Sequence, residues 1–155
     1  MYRPLYSGVL ATALAIAPLI PLQTSRPAAP AGCRGTSPVS VVRVYYAAAA
    51  RHDARAAQAC LTVTFRHLIA HAVDPDWVNI ATFHLTHVRA FPVSPSAAPG
   101  EIRRRPFRLV QVVAEYVVRW RTIASAPDGP GLRFIYVEKE RATSPWLIGS
   151  IGSGP

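Results

Sequence analysis

The chain has 155 residues, 50% hydrophobic and 16% charged, with 17 basic against 8 acidic side chains and a formal net charge of +9. That length suits one domain, and that hydrophobic share excludes an intrinsically disordered chain. Lys139 is the only lysine, so the excess charge is arginine; a nucleic-acid role would need stacking aromatics placed among the basic residues, and no nucleic-acid partner is expected.

Residues 1–31 read as a signal peptide. Arg3 supplies a positive start, Val9 to Leu22 is apolar, and Ala29-Pro30-Ala31 fits a signal-peptidase site, with cleavage between Ala31 and Gly32. The rival reading is an uncleaved anchor. Against it, Pro18 and Pro21 interrupt an apolar run that barely approaches the ~20 residues a bilayer requires. Residues 32–36 form a linker. Cys33 has two open fates. Pro30-Ala31-Gly32-Cys33 has the outline of a lipidation site, though Pro30 stands where an aliphatic residue is usual. Alternatively Cys33 pairs with Cys60, as an oxidising compartment permits. Cys60 taken alone fits a small buried hydrophobe.

The domain proper spans residues 37–155. Ser37 followed by Pro38 is a helix start. Val39, Val42, Tyr46 and Ala49 then fall on one helical face. Asp53 caps a second helix, Ala54 to Leu61. Phe65, Leu68, Ile69 and Ala72 form a third stripe, which Asp74-Pro75 ends. From Val78 the pattern turns to strand residues. Phe83 and Leu85 share one face and apolarity then slips to Val88, which predicts a bulge near Thr86-His87. A Pro/Ser/Gly connection leads to a long strand, Phe107 to Ile123, with Val110, Val112, Ala114, Tyr116, Val118 and Trp120 on one face. After the Asp128-Gly129-Pro130-Gly131 turn, a third strand carries Leu132, Phe134 and Tyr136 on its apolar face. Trp146 to Ile151 is the last strand. Three helices before about four antiparallel strands define an α+β layered domain.

Two segments carry a family resemblance. V-V-R-V-Y-Y-A-A-A-A-R-H-D-A-R-A-A-Q-A-C-L, Val41 to Leu61, resembles the opening helices of the nuclear transport factor 2-like superfamily. The closing W-L-I-G-S-I-G-S-G-P is similar to the last strand of an uncharacterised exported bacterial branch ending W-x-I-x-S-I-G-T-G-P, with Ser153 replacing Thr. The resemblance covers Ser37 to Pro155. It implies a cystatin-like cone in which a curved sheet wraps over helices. It implies no single activity, because fold does not fix function.

His84, His87 and Glu115 are the candidate acid–base groups, should one of them enter the cone. Tyr46, Tyr116, Trp120 and Phe134 are candidates to line an apolar pocket. His67, His71 and Asp74 lie at i, i+4 and i+7, a weak metal pattern without the inner glutamate of zinc helices. Arg103, Arg104 and Arg105 form a charge run suited to an anionic envelope surface or to solvent. No phosphate loop, C-x-x-C or nucleophile elbow is present, and no cofactor is expected. The reading is therefore an exported envelope protein, a non-catalytic binding or accessory domain for a protein partner or small apolar ligand, with a homodimer open. The alternative is a small-molecule isomerase, dehydratase or hydrolase of the cone type, using a pocket histidine.

Overall fold

The computed structural model describes residues 32–33, 35–71, 75–102, 104–122 and 127–153. The expected signal peptide and its cleavage position at Ala31 lie outside them, as do Asp74, Arg103 and the end of the chain.

Helix α1, Pro38–Ala50, starts at a capping box: the Ser40 amide donates to Ser37 Oγ at 3.2 Å and the Ser37 amide to Ser40 Oγ at 2.8 Å. Its buried face is wider than a single stripe. Val41, Val42, Tyr45, Tyr46, Ala48 and Ala49 are all buried, because α1 packs on the sheet and is covered in turn by α2, Ala54–Ala59. Asp53 caps α2, accepting from the Ala56 amide at 3.0 Å. The turn between them places His52 at φ 58°, in the left-handed region. Helix α3, Val63–Ala70, is capped by Thr62 and buries Phe65. Leu68, expected in the core, is 54% exposed, since this eight-residue helix meets the protein along one narrow edge.

The strand expected from Val78 begins slightly later. Pro75, extended at φ −60° and ψ 147°, opens a one-turn helix α4, Asp76–Asn79, before strand β1, Ile80–Val93. Its position is fixed by side chains. The Trp77 carbonyl accepts from His52 Nδ1 at 3.1 Å, so the other ring nitrogen, Nε2, accepts from Arg121 Nη2 at 2.7 Å. Asn79 Oδ1 accepts from the Thr122 amide at 3.0 Å and hydroxyl at 2.7 Å.

Strands β1, β2 (Arg108–Trp120), β3 (Gly129–Lys139) and β4 (Leu147–Gly152) form one antiparallel sheet in the order β1-β2-β3-β4. The register slips between Leu85 and His87, where the apolar pattern placed a bulge. Two further slips lie between Ile80 and Thr82 and, where β3 pairs with β4, between Tyr136 and Val137. The inner face of β2 is the expected one: Val112, Ala114, Tyr116 and Val118 are buried, and they meet α1 and its neighbours in the core.

For β3 the expected face is reversed. Val112 pairs with Ile135 and Ala114 with Arg133, so the odd positions of β3 face the helices. Ile135 and Val137 are fully buried, while Leu132 is 41% exposed and Phe134 and Tyr136 stand on the outer face.

The β4 edge is covered by the chain itself. The Ile148 amide donates to the Cys60 carbonyl at 2.8 Å and the Thr62 amide to the Ile148 carbonyl at 2.9 Å, a parallel bridge beside β4. A Cys33–Cys60 disulfide, Cα–Cα 4.6 Å, ties the segment before α1 to this bridge. Cys60 is thus both fully buried in the core and half of a cross-link. Among the described residues no helix is long and apolar enough to cross a membrane.

Candidate functional site

Two places gather polar chemistry. The first is inside, between α1, α4 and the inner face of the sheet. Tyr45 and Tyr46 enter from α1, their rings edge to face at 4.9 Å. Tyr46 stacks on Phe83 at 4.2 Å, and Phe83 stacks on Tyr116 at 4.9 Å. Arg133, a charge on the inner face of β3, reaches this stack. Its guanidinium lies 5.8 Å from the Tyr46 ring centre and 5.7 Å from those of Tyr116 and Trp120.

Asp76, at the first turn of α4, answers that charge. Arg133 Nη1 donates to Asp76 Oδ2 at 2.6 Å and to the Tyr46 hydroxyl at 3.1 Å, and the Tyr45 hydroxyl donates to Asp76 Oδ2 at 3.1 Å. The two charged side chains are only 16% and 12% exposed. Burial pushes the Tyr45 hydroxyl well above its ordinary value, and the Asp76 charge adds to the shift. Burial likewise raises Tyr46, against the opposing charge of Arg133. Burial opposes the charge on Arg133, but Tyr46 and Asp76 outweigh it and hold the guanidinium protonated. Both phenols are therefore neutral near neutral pH, Tyr45 donating to Asp76 and Tyr46 accepting from Arg133, while the buried Trp120 Nε1 beside them has no partner among the described residues. The network's chemistry is that of a clasp: it joins α1, α4 and β3 through charge-assisted bonds.

Of the expected pocket residues, Tyr46, Tyr116 and Trp120 converge on Arg133. Phe134 does not, because its register partner Val113 is on the outer face. His84 and His87 pair with Val117 and Glu115, both outer-face positions. The bulge shifts the alternation by one, so both histidines point away from the helices. His87 Nδ1 lies 4.0 Å from a Glu115 carboxylate oxygen, both side chains more than half exposed. His67 and His71 are exposed on and after α3. No metal-binding cluster occurs among the described residues.

The second place is a groove of about 420 Å³ on the outer side, between the connection before β2, the end of β3 and the start of α3. Glu101, Glu138 and Glu140 line it, with Arg104 and Arg105 at its rim. Ile102, Pro106 and Leu147 supply apolar wall. Arg104 and Glu140 approach to 3.9 Å in the open, with side chains 87% and 66% exposed, a pairing of little energetic weight. Glu138 lies deeper. Its carboxylate rests against Gly149, where a side-chain carbon would meet Oε1 at 2.7 Å and Ile102 at 3.1 Å. Partial burial, and then the charge of Glu140, push this carboxyl up to about 6.

Asp76, Arg133 and Glu138 were not singled out from the sequence. Asp76 stands directly after a helix-breaking Pro75, and Arg133 is a charge inside an apolar strand. Each carried a signal, but only the register between β2 and β3 gives Arg133 its inward direction.

The class defined by these features is an α+β domain with helices layered on one face of a four-stranded antiparallel meander. Comparison with protein-family models, curated proteins and solved structures finds no match.

Proposed function

We propose that this chain is an exported bacterial envelope protein of the nuclear transport factor 2-like cone type, and that it works by binding rather than by catalysis. The observation that carries the reading is the occupied interior. The space where a cone enzyme keeps substrate is taken by the Tyr46–Phe83–Tyr116 stack and by Arg133, whose Nη1 already bonds to Asp76 and Tyr46. The histidines that would serve as bases lie on the opposite face. A filled core favours a partner met at the surface over a ligand held within.

Two further features support the assignment. Bulges in β1 and at the β3–β4 pairing bend strands, as a cone requires. The Cys33–Cys60 disulfide is typical of an oxidising compartment and sits just beyond the apolar leader. Intact-mass spectrometry of protein recovered from its own cells tests the export reading. A chain starting at Gly32 and lighter by two hydrogens than its dithiol form is expected. A reduced chain retaining residues 1–31 in the cytosol overturns it. Titration of the labelled methyl groups of Val112 and Ile135 with benzene tests the interior. Unmoved signals are expected, and saturable shifts restore an internal ligand site.

A further inference from the structure

We infer that the groove beside Glu138 is a binding site for a cationic group on a short aliphatic stem, an alkylguanidinium or alkylammonium. The inference deepens the binding reading above by naming a ligand class and a place.

The charge distribution argues first. The chain carries a net charge of +9 and contains four glutamates, Glu101, Glu115, Glu138 and Glu140. Three of them, contributed by the connection before β2 and by the end of β3, line this one groove. Residues up to 39 positions apart in a largely basic chain thus meet in one groove, where burial and then the charge of Glu140 raise the Glu138 carboxyl, a cost to its ionised form that a bound cation offsets.

The build of the groove argues second. Glu138 is seated over Gly149, the position in β4 where any side chain would occupy the carboxylate's place. Its volume, about 420 Å³, lies within the range of small-molecule sites. Ile102, Pro106 and Leu147 give an aliphatic stem an apolar wall, while the Thr64 and Ser144 side chains add hydroxyl groups to the lining. Arg104 and Arg105 sit at the exposed rim and so do not fill the deeper seat. A guanidinium entering stem-last would set its N–H fork on Glu138, with Glu140 within the same lining.

The titratable groups lining the groove are Glu101, Arg104 and Arg105 from the connection, and Glu138 and Glu140 from β3; the residues from α3 and β4 in the lining carry no charge. A bound cation favours ionised Glu138, so affinity should fall as pH is lowered through about 6.

The test is a titration of the purified disulfide-bonded protein with n-butylguanidinium chloride, followed through the methyl signals of Ile102 and Leu147. Saturable shifts are expected at pH 7.5. Glu138→Gln should weaken binding about tenfold or more, whereas Glu115→Gln, on the open outer face, should leave it unchanged. A blocked Ala-Arg-Ala peptide run in parallel separates the two sources of such a cation: tighter binding of the peptide assigns a protein's arginine, and equal binding a free small cation. The inference is overturned if butyrate binds as well as butylguanidinium, if no saturable shift occurs, or if Glu138→Gln binds as the parent does. Glu140→Gln, a milder change at the rim, serves should Glu138→Gln fail to fold, and should weaken binding severalfold. Failure here leaves the export and interior tests standing, so the two readings fall separately.

Discussion

The Tyr116 ring lies directly over Gly131, its cross-strand partner, so that a side-chain carbon at position 131 would sit 2.6 Å from the ring and its hydroxyl. Tyr116 cannot swing aside cheaply, because Phe83 stacks on it and the Arg133 guanidinium lies over it. Gly131→Ala is therefore expected to destabilise the fold by about 1–3 kcal/mol, the usual cost of overpacking. Urea denaturation at pH 7 measures it; an unchanged midpoint would show that the ring has room to move.

The Asp76–Arg133 pair predicts a larger and non-additive effect. Asp76→Ala leaves a buried guanidinium without its carboxylate and should cost about 3–5 kcal/mol. Arg133→Met, paired with Asp76→Ala, removes both charges and should recover much of that loss. A double-mutant cycle in urea reads the coupling. Additive single and double effects would mean that the clasp contributes nothing as a unit.

Glu138 gives the pH dependence. Its folded carboxyl is raised from an ordinary 4.5 to about 6, so the folded state holds the proton more tightly than the unfolded one. The stability contributed by the protonated form is fully present below about 4.5 and is lost as pH rises through about 6. Glu138→Gln should thus match the parent near pH 4 and exceed it at pH 7. Thermal midpoints across that window decide it, and parallel curves for the two proteins refute the assignment.

The Cys33–Cys60 cross-link closes a loop with a sequence separation of 27 residues. Chain-entropy reasoning gives it about 3–4 kcal/mol. Replacing both cysteines by serine should lower stability by that order and loosen the parallel bridge between Leu61 and Ile148 first. Hydrogen exchange of the Ile148 amide, which the Cys60 carbonyl accepts, is the local readout.

The helix starts at Ser37, Asp53 and Thr62 follow from short-range chemistry, since each cap is a side chain accepting from the amide three residues ahead. The inner face of β2 and the slip in β1 were legible because unbroken alternation over many residues specifies which side is dry. Strand β3 was not. Leu132, Phe134 and Tyr136 are together more apolar than Arg133, Ile135 and Val137, so local hydropathy pointed the wrong way.

What the sequence alone determined was the order of elements, the α+β layering and the positions of caps, turns and one bulge, all products of contacts between near neighbours. Only the tertiary structure decided which face of β3 is buried, because that depends on register with β2. It also decided that Arg133 meets Asp76 across 57 positions, and that Glu138 settles against Gly149. Such pairings are fixed when separate elements pack, and no periodicity along the chain encodes them.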